Sequence, residues 1–144
     1  MLEDIRGLLG EGRFAVLATR GEEYPYCTLV GYAESGDCSE IVFATARDTR
    51  KYRNLKEYPG VSLLVDSRTN QVRDLRDARA LTVLGRAVEI EDRSSGVHLG
   101  IYLARHPYLE DFVNSPNCAL ISVKVDRYIL VSNFQNVLEY DMRD

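Results

Sequence analysis

Short apolar runs, bounded by glycine, proline and acidic residues, dominate the pattern along this chain. Such runs are typical of β-strands. They predict strands at 14–19, 26–33, 40–45, 61–65 and 80–91, and two further apolar stretches at 119–125 and 128–134. Because the connections between the first strands are short, the pattern favours an antiparallel meander over βαβ units.

Three segments have a helical period instead. Residues 1–11 place leucine and isoleucine on one stripe, and residues 49–58 place Tyr52 and Leu55 on one face. Pro59 and the glycine after it end this second helix. Residues 94–113 have a helical pattern that is interrupted at His106-Pro107, because proline disfavours helix in the residue before it.

Together these elements predict a mainly β fold with helices. Closing six or seven antiparallel strands into a barrel removes the exposed sheet edges. The pattern therefore predicts a barrel with a short helix after the third strand and a helical crossover before the last strands. Residues 66–79 form a long polar loop, and residues 1–144 are expected to form a single domain.

Composition narrows the possible functions. With 45% hydrophobic and 28% charged residues and a net charge of −4, the chain has the profile of a globular protein without a basic surface for nucleic acid. No apolar run approaches the roughly 20 residues of a membrane-spanning helix. The three cysteines form no CxxC motif and are typical of reduced thiols rather than of a disulfide framework. The histidines do not have the spacing of metal ligands. We therefore expect a cytoplasmic protein with no membrane, nucleic-acid or metal site.

The start of the second helix breaks a local rule. Four cations crowd its first turn, with Asp48 as the nearby carboxylate: Arg47, Arg50, Lys51 and Arg53. Cations at a helix N-terminus oppose the helix dipole at a cost of about 0.3–1 kcal/mol each. A bound phosphate would remove this cost, since free amides, a threonine cap and long cations together hold such an anion. A solvated helix that pairs with nearby carboxylates is the alternative.

The order of these elements resembles the FMN-binding split barrels of the pyridoxamine 5′-phosphate oxidase-like superfamily, from Phe14 to Phe134. The motifs that carry the resemblance are Phe14–Thr19, Pro25–Val30, Phe43–Thr45 running into Thr49-Arg50-Lys51, Pro59–Leu64 and Leu84–Ala87. The resemblance implies a six- to seven-stranded antiparallel split β-barrel that holds FMN at the subunit interface of a homodimer.

It also implies the site residues. By resemblance, Thr49, Arg50 and Lys51 bind the FMN phosphate, and the second strand lines the isoalloxazine. The other implied contacts come from Thr28, Leu29, Val30, Ala44 and Thr45, and from Phe134 of the partner subunit. Asn70 and Gln71 in the polar loop are further candidates for polar contacts to the flavin, with ordinary turn chemistry as the alternative.

Two departures indicate that the chain does not oxidise pyridoxamine phosphate. Such oxidases carry an Arg-x-His-Asp-Arg-like motif near the C-terminus, which is absent here, and a glutamine where this chain has Ala80. We therefore expect an FMN-dependent oxidoreductase for another small substrate, with Tyr32, Tyr52 and His106 as candidate proton donors. The alternatives are a non-catalytic FMN-binding or electron-transfer protein, or the same barrel holding deazaflavin or haem.

Overall fold

The computed structural model of the chain describes residues 1–133 and 135–143. Its helical elements are α1 (Leu2–Glu11), α2 (Arg50–Glu57), α3 (Asp74–Asp77), α4 (Val97–Arg105), a 3-10 turn (Pro107–Leu109) and α5 (Glu110–Val113). Its strands are β1 (Phe14–Arg20), β2 (Pro25–Glu34), β3 (Glu40–Ala46), β4 (Gly60–Asp66), β5 (Ala80–Glu89), β6 (Cys118–Ser132) and β7 (Asn136–Asp141). In this described part of the chain, no helix has the length and apolar character needed to cross a bilayer.

The strands form one antiparallel sheet that closes on itself. Their order is β3-β2-β1-β4-β5-β6-β7, and an additional pairing of β3 with β6 closes the first six into a barrel. Strand β7 pairs with β6 outside this ring. The predicted barrel, the helix after the third strand and the helical crossover before the last strands are all confirmed.

The two apolar stretches at 119–125 and 128–134 are not separate strands up to Ser132, because β6 is one strand of 15 residues. Its register against β5 shifts between Leu84, which pairs with Arg127, and Gly85, which pairs with Val125. Asp126 is the additional residue of this bulge. Val125 and Tyr128 consequently both enter the barrel core, although strict alternation would place them on opposite faces. The last strand is instead β7, where the pattern predicts no element.

The interior is filled by alternate residues of all six barrel strands, and the two ends are closed differently. Tyr32, fully buried on β2, donates its hydroxyl hydrogen to Leu9 O at 2.6 Å, which holds the C-terminal end of α1 over one end. Helix α2 lies at the other end, where Asn54 Nδ2 donates to Thr19 Oγ1 at 3.1 Å. This end is where the basic segment of the sequence meets the barrel.

Candidate functional site

The junction of β3 and α2 is organised by two threonines. Thr45 is the last buried residue of β3, and its hydroxyl lies 3.1 Å from that of Thr49. Thr49 is the N-cap of α2, where its Oγ1 accepts from the Tyr52 amide at 3.3 Å and donates to Ala46 O at 2.8 Å. A β-hydroxyl suits this position because it accepts a hydrogen bond from an otherwise unsatisfied first-turn amide. The start of α2 is thereby fixed relative to the barrel.

The four cations of this segment have different surroundings. Arg47 forms an ion pair with Glu89 at 2.7 Å and also donates to Pro116 O at 2.8 Å. Arg53 donates to the backbone oxygen of Asp48 at 3.4 Å. Among residues 1–133 and 135–143, no carboxylate lies within ion-pairing distance of Arg50 or Lys51. The pairing with carboxylates that the alternative hypothesis requires therefore accounts for Arg47 but not for the Arg-Lys pair.

Backbone donors occur at the same place. The amide of Tyr52 bonds to the Thr49 side chain and that of Arg53 to Thr49 O at 3.2 Å. In the described part of the chain, the amides of Arg50 and Lys51 have no acceptor. Two free amides and two unpaired cations at one helix start form a donor set suited to a phosphate.

Glu89, at the end of β5, contacts three side chains in and next to α2. Its carboxylate accepts from the Tyr52 hydroxyl at 2.5 Å and pairs with Arg47 and, at 3.4 Å, with Lys56. Burial favours the neutral acid, but the hydrogen bonds from Tyr52 and Arg47 and the nearby positive charges outweigh it and lower the pKa of Glu89. The same hydrogen bond, from the Tyr52 hydroxyl to Glu89, raises the pKa of Tyr52. Glu89 thus fixes α2 through Tyr52, Lys56 and the preceding Arg47, and it does not pair with Arg50 or Lys51.

Strand β2 supplies the adjoining surface. The Arg50 guanidinium carbon lies 5.2 Å from the centre of the Tyr26 ring, and Tyr26 is two residues from Thr28 on the same side of the strand. In the described residues, Thr28 Oγ1 is the one buried side-chain oxygen or nitrogen without a hydrogen-bond partner. A buried hydroxyl without a protein partner is rare in folded proteins, and a ligand or an ordered water would complete its hydrogen bonding.

The other predicted residues of β2 and β3 differ in accessibility. Leu29 is 66% exposed on the outer side of the sheet, whereas Val30 is buried in the barrel core. Ala44 is half-buried at the end of β3, beside Thr45. Of the three, Leu29 offers its side chain to a ligand or a partner, and Val30 supports the strand from inside.

Asn70 and Gln71 lie elsewhere. They follow β4 at the end opposite to α2, and the seven residues of β4 span about 20 Å. Their amides donate to the Asp74 carboxylate at 2.7 and 3.4 Å, and Asn70 has a positive φ of 63°. Within one chain the structure does not bring these two residues to the Thr49-Arg50-Lys51 segment. Phe134, the predicted contribution of a partner subunit, lies outside the described residues.

The three candidate proton donors are all held in hydrogen bonds. Tyr32 donates to Leu9 O, and burial raises its pKa to about 12. Tyr52 donates to Glu89, and a ring nitrogen of His106 lies 2.7 Å from Tyr32 O. These contacts give each side chain a structural role and leave the site without an assigned acid or base.

Sequence reasoning missed a cleft beside Arg50. It has a volume of about 490 Å³ and lies between the β1–β2 turn and the exposed side of α2. Glu22, Glu23 and Tyr24 line it from the turn, and Arg50 and Arg53 line it from the helix. The turn and the helix are separated by about 30 residues of sequence, so no local pattern could pair them.

Comparison with known proteins gives a family match over nearly the whole chain. The sequence model described as "Pyridoxamine 5′-phosphate oxidase" matches residues 1–132. No curated protein matches the chain.

Solved structures share the fold at low sequence identity. A haem-binding protein from Mycobacterium smegmatis has a TM-score of 0.86 at 18% identity, over 97% of this chain and 57% of that one. A Clostridium acetobutylicum protein related to general stress protein 26, of the pyridoxinephosphate oxidase family, has a TM-score of 0.75 at 15% identity. The match covers 98% of this chain and 94% of that one. An FAD-binding protein from Mesorhizobium loti has a TM-score of 0.73 at 18% identity, over 90% and 91%. The chain therefore spans little more than half of the first of these relatives.

Proposed function

The chain belongs to the pyridoxamine 5′-phosphate oxidase family, and on that premise we propose that it is a flavoprotein that binds FMN at the start of α2. The observation that carries the proposal is the donor set formed by Arg50 and Lys51. In the described residues, both cations lack a carboxylate partner and both of their amides lack an acceptor. A phosphate monoester carries about −1.5 to −2 charges at neutral pH, which this set matches.

The neighbouring threonines complete the proposed site. Thr49 orients the first turn of α2, and its bond to Thr45 ties that turn to the barrel. The Thr28 hydroxyl, which has no partner among the described residues and lies on the same side of β2 as Tyr26, would bond a polar edge of the ligand. The residues present therefore fit a phosphorylated flavin.

We propose that the protein is an oxidoreductase for a small substrate other than pyridoxamine phosphate. A bound flavin supplies reversible electron transfer, which the protein does not have to provide itself. The chain's own residues bind the phosphate, orient the ring and exclude water. Because the candidate proton donors are engaged in structural hydrogen bonds, an FMN-binding or electron-transfer protein without its own acid–base group is the second candidate.

The proposal includes a homodimer. Leu29, Val16 and Leu64 form one row across the outer faces of β2, β1 and β4, and Leu29 is 66% and Leu64 36% exposed. Phe14, also on β1, is 61% exposed. A contiguous exposed apolar surface of this kind is typical of an interface. We propose that a second copy of the chain covers it and that the flavin, with Phe134 of the partner subunit, lies at its edge.

Titration of FMN fluorescence with the purified protein tests the flavin proposal. We expect quenching with a dissociation constant in the micromolar range or below. Arg50→Ala/Lys51→Ala removes two charges and should weaken binding by at least tenfold, since charge-assisted bonds to a phosphate are lost. Arg6→Ala/Arg143→Ala removes two other exposed charges and should leave the affinity unchanged.

The outcomes separate the alternatives. Unchanged affinity in the Arg50→Ala/Lys51→Ala variant would exclude the phosphate assignment. If the protein does not bind FMN but gives a Soret band with haem, or binds a deazaflavin, that result would favour the other cofactor. One of the structural relatives is a haem-binding protein.

A further inference from the structure

The cleft adjoins the proposed phosphate site at Arg50 and also includes Arg53 and Asn54. FMN ends at its phosphate, so a ligand that has this phosphate at Arg50 and also fills the part of the cleft between Arg53 and Glu22 must extend beyond it. The cleft volume of about 490 Å³ lies within the roughly 300–1,000 Å³ of small-molecule sites. The cleft is therefore too large for a phosphate monoester alone.

The turn that forms one wall is closed by a backbone hydrogen bond. Gly21 donates its amide hydrogen to Tyr24 O at 3.1 Å, and a Cβ atom at Gly21 would lie 2.4 Å from that oxygen. Only glycine fits so close a backbone approach. The turn therefore holds Tyr24 at the mouth of the cleft, with its side chain 71% exposed. An aromatic ring held in this way can stack with a flat heterocycle.

The charges of the cleft are divided between its walls. Arg50 and Arg53 are three residues apart on α2, so their guanidinium groups project from neighbouring positions of one helix face. Glu22 and Glu23 lie on the turn opposite. In the described part of the chain, none of these four side chains forms an ion pair. Cations thus line one wall and carboxylates the other.

We propose that this cleft binds the adenosine diphosphate half of FAD, so that the site takes the dinucleotide more tightly than FMN. The inference rests on the proposed phosphate site at Arg50. Arg50 and Arg53 bind the diphosphate, because guanidinium groups form paired hydrogen bonds with phosphate oxygens. The carboxylates of Glu22 and Glu23 accept hydrogen bonds from the ribose hydroxyls, as acidic side chains do in dinucleotide sites. The Tyr24 ring stacks on the adenine.

The same carboxylates select among extended ligands. A 2′-phosphate on the ribose, or a polyanionic tail, would bring negative charge against Glu22 and Glu23, which is unfavourable. The cleft therefore fits an unphosphorylated ribose better than a 2′-phosphorylated one.

Isothermal titration of the flavin-free protein with FMN, FAD and ADP tests the inference without a catalytic assay. We expect the dissociation constant for FAD to be at least fivefold below that for FMN, and ADP to bind while adenosine 2′,5′-bisphosphate binds at least fivefold more weakly. Arg53→Gln and Tyr24→Ala should each reduce the advantage of FAD to less than twofold and change FMN affinity by less than twofold. Tyr108→Ala, at a tyrosine that is 96% exposed elsewhere, should leave both affinities unchanged.

The results distinguish the two proposals. Equal affinities for FMN and FAD, or an advantage of FAD that survives both Arg53→Gln and Tyr24→Ala, would overturn the assignment of the cleft and leave the FMN proposal standing. If neither flavin binds, the proposed function itself fails, and the assignment fails with it.

Discussion

The hydroxyl oxygens of Thr45 and Thr49 lie 3.1 Å apart, which joins the last buried residue of β3 directly to the N-cap of α2. This contact connects the barrel to the helix start, where no carboxylate of residues 1–133 and 135–143 pairs with Arg50 or Lys51. The orientation of the proposed phosphate site therefore depends on a strand end and a helix cap acting together.

Replacing the N-cap tests this connection. Thr49→Ala removes the acceptor for the Tyr52 amide, and loss of such a cap costs about 1 kcal/mol of folding stability. Thr49→Ser keeps the hydroxyl and should retain most of that stability. Urea unfolding of the three proteins measures the difference, and equal loss in the alanine and serine variants would contradict the capping role.

Glu40 predicts a pH dependence of stability. Burial raises the pKa of its carboxyl, but hydrogen bonds from Lys124, Ser122 and His98 outweigh this and lower the pKa from its ordinary 4.5 to about 2. Because the folded pKa lies below the unfolded one, the stabilisation is complete above about pH 4.5 and is lost as the pH falls towards 2.

The Glu40→Gln variant should therefore unfold more easily than the parent protein at pH 6, with a smaller difference at pH 3. Urea unfolding at the two pH values measures it. Glu139→Gln, at an exposed carboxylate, serves as the control and should show no such convergence. A Glu40→Gln effect of the same size at both pH values would show that ionisation of this carboxyl does not contribute.

Gly85 marks the bulge between β5 and β6. A Cβ atom there would lie 2.4 Å from Lys124 O and 2.8 Å from Val123 Cγ1, so a strand backbone would have to move. Gly85→Ala should cost about 1–3 kcal/mol, the range for overpacked sites. Gly100→Ala, in α4 with no atom within 4 Å of the added carbon, should instead stabilise by about 0.5–1 kcal/mol. Thermal unfolding of both variants measures the two effects, and the same sign for both would refute the steric explanation.

Leu29 tests the proposed dimer. Leu29→Glu places a charge in the exposed apolar row, which a folded monomer tolerates because the side chain is 66% exposed. We expect the variant to sediment as a monomer at concentrations where the parent protein is a dimer. Tyr108→Glu adds the same charge outside this row and should leave the association unchanged. A dimer that persists in Leu29→Glu would place the interface on another surface.

Several features of the candidate site could be predicted from local sequence. Cations around Thr49 at the start of a helix indicate an anion site, because capping and the helix dipole act within one turn. Which of these cations pairs with a carboxylate could not be predicted. Arg47 pairs with Glu89, which is 42 residues away, and only closure of the barrel brings that carboxylate under α2. The cleft between the β1–β2 turn and α2 depends on the same closure.

The sequence by itself determined most of the strands and helices, though not α3 or β7, since apolar alternation and the Pro-Gly and His-Pro breaks act over a few neighbouring residues. It also determined the chemical character of the helix start at Arg50 and Lys51. The tertiary structure decided that β6 is continuous through Asp126 and that Asn70 and Gln71 lie away from α2. It also decided that the buried Thr28 hydroxyl has no partner in the part of the chain that the structure describes. The physical reason is range: periodicity and capping are local, whereas register, ion pairing and clefts depend on which distant strands the closed barrel brings together.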